Sequence, residues 1–158
     1  MKRLMLWIVA VAVLVVGAGA VYMRTLDHAP GIWHVDPTEA VRRQTANDYL
    51  VAPEGVAKSR PDRLFEARAV APHELLFLFD AIAGNAPRTT RIAMDEDTLT
   101  ATYVQTTALF AFPDYITVKA VSVADGSGLV IWSRSRFGAS DFGVNKARID
   151  DWLAKLGS

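Results

Sequence analysis

The first 24 residues, MKRLMLWIVAVAVLVVGAGAVYMR, set two positive charges ahead of an apolar run from Leu4 to Met23, softened only by small residues, and end on Arg24. No polar stripe interrupts this run, so it does not suit the half-buried helix of a water-facing domain. At about 1.5 Å per residue, roughly 20 such residues cross a hydrocarbon core about 30 Å thick. Trp7 and Tyr22 stand near the two ends, where amphipathic aromatics favour the membrane–water boundary, and Lys2 with Arg3 favours a cytoplasmic N-terminus. These features predict a membrane anchor over 1–24 in the inner membrane, with the rest of the chain on the periplasmic side. Ala18-Gly19-Ala20 also fits the small-x-small pattern of a signal-peptide site, and cleavage at Ala20 with secretion is the competing reading.

The remaining length suits one domain with a single modest core. Of 17 basic and 17 acidic residues in the chain, Lys2, Arg3 and Arg24 belong to the leader, which leaves 25–158 mildly acidic. A domain of that charge lacks the footprint for a phosphate polymer, so nucleic acid is not an expected partner. There is no cysteine, which excludes disulfides, thiolate metal sites and cysteine nucleophiles. His28, His34 and His73 are too scattered for a metal spacing and are expected at the surface. No dinucleotide or phosphate-loop fingerprint is present, so neither a metal nor a cofactor is expected.

Residues 25–62 carry four prolines and little apolar periodicity, and are expected to form an extended tether. Within them, DPTEAVRRQ has a helix-start signature: Asp36 as cap, Pro37 at the first position and Glu39 in the first turn. From Arg63 the pattern sharpens into a globular domain over 63–158. RLFEARAV alternates as a strand does. PHELLFLFDAIAG places Leu75, Leu76, Phe79, Ile82 and Ala83 at helical spacing. RTTRIAM, TLTATYVQT, DYITVKAVSV and GLVIWSRSRF are rich in Thr, Val, Ile and Tyr at strand length. The acidic DED at 95–97 reads as a solvated hairpin tip rather than a metal site, and ADGSG at 124–128 as a second tip. NKARIDDWLAKLG ends the chain with Ile149, Trp152, Leu153 and Leu156 on one helical face. The expected fold is α+β: an antiparallel sheet of about five strands with the internal and C-terminal helices on one face, behind an N-terminal transmembrane helix.

One stretch, SRSRFGASDFGVN at 133–145, concentrates polar chemistry at a strand-to-helix corner. A two-residue period sends Arg134 and Arg136 to the same face, about 6.6 Å apart at roughly 3.3 Å per residue, close enough to share one anion. Gly138 and Gly143 permit a sharp reversal, and Ser140, Asp141 and Asn145 are residues that cap helices. Lys146 and Arg148 fall near the first turn of the helix, where its dipole disfavours a cation. Arg134, Arg136, Ser140, Asp141, Asn145 and Arg148 are therefore the candidate ligand-binding residues, gathered around a phosphate, sulfate or carboxylate. The alternative is internal bracing, with Asp141 paired to one of the arginines. No catalytic residue is assigned, because no base is implied beside Ser135 or Ser140.

The same residues carry a family resemblance. SRSRFGASDFGVNKARIDDWLAKL resembles the C-terminal signature of the bacterial and plastid family called domain of unknown function 1499, with Ser135, Arg136, Gly138, Ser140, Asp141, Gly143, Asn145 and Arg148 on matching positions. The likeness extends more loosely back to NDYLVAP. There Asn47 is kept, but Asp48 stands where many relatives have cysteine, which excludes any thiol-dependent role. The family is uncharacterised, and the resemblance implies an exported or membrane-associated protein without implying a reaction. The expected function is that of a membrane-anchored, non-enzymatic binding or scaffolding module of the cell envelope, with an anionic lipid or an envelope protein as partner. The alternative is an envelope hydrolase or transferase acting on phosphoesters or lipids, with Asp141 as base.

Overall fold

A computed structural model describes residues 1–42 and 45–157. Helix α1 (Lys2–Arg24) contains all of the apolar run and buries none of its side chains in the domain core. Its 23 residues reach about 35 Å at 1.5 Å each, enough to cross a bilayer.

The domain is built on one six-stranded mixed sheet in the order β2-β1-β6-β5-β4-β3. Its strands are β1 (Asp48–Ala52), β2 (Arg63–Leu64), β3 (Thr89–Asp95), β4 (Thr100–Thr106), β5 (Pro113–Val123) and β6 (Gly126–Ser135). All neighbours pair antiparallel except β1 with β2. The α+β class holds, with one strand more than expected. That strand is β1, which lies inside the proline-rich segment read as tether and fills the position between β2 and β6. RLFEARAV keeps only two residues of ladder, Arg63 and Leu64, and a lone bridge from Arg68 to Ser127.

Helices α3 (Pro72–Gly84) and α4 (Val144–Leu156) cover one face, as the apolar stripes require. Leu75, Leu76 and Phe79 of α3 meet Ile149 and Trp152 of α4 over Tyr103, Ile116, Val118 and Ile131 of the sheet. Trp152 packs edge to face on Phe79 and Tyr103 at 5.7 and 6.3 Å, and those two rings meet at a tilt. Each such pair adds about 0.5–1.5 kcal/mol beyond the area it buries.

The opposite face is covered by the chain between α1 and β1. A single-turn helix α2 (Pro30–Trp33) is followed by a 3-10 turn at Pro37–Glu39, which Asp36 caps by accepting from the Thr38 amide at 2.9 Å. The helix start at Asp36-Pro37 is thus present, but only as one tight turn; Arg43 and Gln44, the end of that motif, lie outside the described residues. Ala40 joins Leu50, Ala52 and Val130 in a second small apolar cluster. Trp33 lies flat on Tyr115, centroids 3.6 Å apart and planes within 2°.

Candidate functional site

Alternation along β6 and β5 decides which polar groups meet. Tyr115, Thr117, Trp132, Arg134 and Arg136 project to the face covered by 25–42, whereas Asp114, Ser133 and Ser135 project under α4. The sheet therefore divides the six candidate residues.

Beneath α4, Arg148 is buried and donates in four directions: to Gln105 Oε1 at 2.6 Å, Ser133 Oγ at 3.0 Å, Asn145 Oδ1 at 2.6 Å and Asp114 Oδ2 at 2.5 Å. Asn145 in turn donates to the Asn47 carbonyl and Ser135 Oγ, and Asn47 donates to the Gly138 carbonyl at 2.7 Å. No buried side-chain polar atom among the described residues lacks a partner. This network ties α4, β4, β5, β6 and the 45–47 segment together and engages all three guanidinium nitrogens of Arg148. Arg148 is brace, and its carboxylate is Asp114 rather than Asp141.

Asp141 serves the helix end instead. Its two oxygens accept from the amides of Gly143 at 3.0 Å and Asn145 at 2.8 Å, and Ser140 Oγ accepts from the Phe142 amide. The reversal uses left-handed backbone at Gly138 (φ 88°) and Gly143 (φ 82°), where a Cβ would be strained. Negative charge at the start of α4 satisfies the dipole, and Lys146 is exposed and paired with Asp150 one turn on. The cation that looked misplaced in the sequence is compensated on both sides.

On the other face Arg134 and Arg136 do converge. They line a cavity of about 210 Å³ with Trp33, Val41, Asp48 and Trp132. Arg134 lies 4.1 Å over the Trp132 ring and donates to the Trp33 carbonyl at 2.8 Å. Arg136 donates to the Asp27 carbonyl at 3.0 Å and Tyr115 Oη at 3.2 Å, and lies 5.5 Å from the Trp33 ring. Among the described residues neither guanidinium has a carboxylate within ion-pair distance. The acid that lines the cavity, Asp48, is engaged elsewhere: it accepts from Arg42 Nη2 at 2.7 Å and from Trp132 Nε1 at 2.9 Å. Burial pushes Arg134 down to about 10, still charged at neutral pH. It also lowers His28, with Arg136 adding to the effect.

Two histidines expected at the surface belong to this covering. His28 Nδ1 lies 2.8 Å from Tyr115 Oη, and His34 Nδ1 lies 2.8 Å from Thr102 Oγ1, both half-buried. His73 is exposed, as expected. The DED tip closes on itself, Asp95 accepting from the amides of Asp97 and Thr98. No group of three metal-ligating side chains occurs among the described residues. Sequence reasoning missed Trp33, Asp48 and Trp132 as walls of the cavity, and Asp114 and Gln105 as partners of Arg148. The two-residue period that puts Arg134 and Arg136 on one face puts Trp132 there too, the one signal available.

A family model described as a protein of unknown function, DUF1499, matches residues 34–156. No curated protein and no solved structure matches the chain.

Proposed function

For this chain, which belongs to the DUF1499 family of proteins of unknown function, we propose a membrane-anchored, non-enzymatic binding module of the cell envelope. Its ligand is an anionic group, a phosphate or carboxylate, held at the cavity between Arg134 and Arg136. The anchor is α1, with the N-terminus cytoplasmic and the domain periplasmic.

One observation carries this reading: two adjacent half-buried guanidinium groups face a common cavity without an acid against either. A desolvated cation is costly unless paired, and stacking on Trp132 recovers only about 2 kcal/mol. An incoming anion supplies the missing charge, and the planar donors suit phosphate or carboxylate. Hydrolysis would need a base beside these arginines. Asp141 is committed to the helix end, Asp48 to Arg42 and Trp132, and His28, the imidazole nearest Arg136, is held at Tyr115 Oη outside the cavity lining, so binding is the better-supported use of the site.

The test is the melting temperature of the full chain in detergent, titrated with phosphate, sulfate and a soluble anionic-lipid headgroup such as glycerol phosphate. A saturable rise that Arg136→Ala removes is the expected result. If no anion in the panel moves the midpoint, the arginines only hold the covering segment to the sheet.

A further inference from the structure

The end of the sheet nearest α1 carries an apolar rim with no cover among the described residues. Leu109 is 70 % exposed and Phe142 95 %, with Phe112 and Phe137 at 40 % each. These residues come from two loops, 107–112 before β5 and 136–143 after β6, and Phe112 meets Phe137 edge to face. A single exposed apolar residue is ordinary, but a contiguous aromatic set marks a surface that something else covers. Phe142 adds a second cost, since it holds a left-handed backbone (φ 54°) while presenting its ring to solvent.

Position identifies the occupant. Phe110 and Phe112 form a pocket of about 250 Å³ with Val16, Gly19, Ala20 and Met23 of α1. Val16 to Met23 covers about 10 Å of helix axis at 1.5 Å per residue, so the loop reaches below the outer end of a helix long enough to span a bilayer. Amphipathic surface elements bury their apolar side to about 5–10 Å in a membrane, which is the same depth. A cavity of about 490 Å³ between Phe112, Phe137, Phe142 and Val144 opens on the same rim.

We infer that the 107–112 and 136–143 loops are a lipid-docking rim, inserted into the outer leaflet beside α1 and fixing the domain's attitude to the membrane. The inference rests on α1 being a retained anchor, and the experiment separates the two. The chain has no cysteine, so single substitutions accept one environment-sensitive fluorophore each. Four full-length variants are labelled: Leu109→Cys and Phe142→Cys in the rim, Leu14→Cys in α1, and Asp125→Cys at the β5–β6 tip. Asp125 lies at the far end of an 11-residue strand, about 35 Å away. Each is reconstituted in phosphatidylcholine–phosphatidylglycerol vesicles and quenched with iodide or with spin-labelled lipid.

Labels at 109, 142 and 14 are expected to emit blue-shifted light, to be quenched by the spin-labelled lipid, and to be several-fold less sensitive to iodide than the label at 125. If position 14 behaves so but 109 and 142 match 125, the rim does not dock and the anchor stands. If position 14 also meets iodide freely, the anchor itself fails.

Discussion

At the scale of single residues, chemistry follows which side of the sheet a side chain takes. Arg148 and Asp114 are 5 % and 8 % exposed, so removing either partner strands a buried charge. Arg148→Met or Asp114→Ala is expected to destabilise the domain by about 3–5 kcal/mol in chemical denaturation, the cost of breaking a buried pair. The double variant Arg148→Met with Asp114→Leu should recover part of it. His28 reports on the other face. Burial and Arg136 hold its pKa below 6.5, so its neutral form belongs to the folded state. Its contribution is full above pH 6.5 and declines as the pH falls through the depressed value. In NMR titration His28 should titrate below 6.5, and Arg136→Ala should raise that midpoint by removing the nearby charge. The alternation of β6 made the Arg134–Arg136 pair readable in the sequence. Arg148 was grouped with that pair, because only the docking of α4 decides that its guanidinium lies on the other face, toward Asp114, 34 residues away.

At the scale of elements, α3, α4 and β3 to β6 follow from periodicity and turn chemistry, and the helix bounds fall within a residue of those expected. What was not legible has a physical cause in each case. β1 is five residues between proline-rich stretches, and its pairing with β6 at long range gives no local signal. The cover over the second face uses isolated contacts, Trp33 on Tyr115 and His34 on Thr102, which have no repeat to detect. The corner before α4 also owes its form to one side chain. Asp141→Ala removes both acceptors at the helix start and is expected to cost about 1 kcal/mol, read as a lower midpoint in urea, while Asp141→Asn should lose less.

At the scale of the whole molecule, α1 and the domain share a surface rather than a loose join. Cleavage after Ala20 would remove Val16, Gly19 and Ala20 from the pocket they form with Phe110 and Phe112. Intact-mass measurement of the membrane fraction should therefore find the leader retained. A chain shortened by 20 residues would overturn the anchor. Helix α1 ends at Arg24, and the Asp27 carbonyl is already fastened to Arg136. Three residues reach at most about 10 Å. With α1 as the anchor proposed above, a leash that short would give the domain almost no radius in which to search: whatever it meets would travel along the lipid plane or come down to it, and a bulky partner would have to approach edge-on. Lengthening the stretch between Arg24 and Asp27 would then turn a surface-confined encounter into one in three dimensions, without altering a single side chain that lines the Arg134–Arg136 cavity.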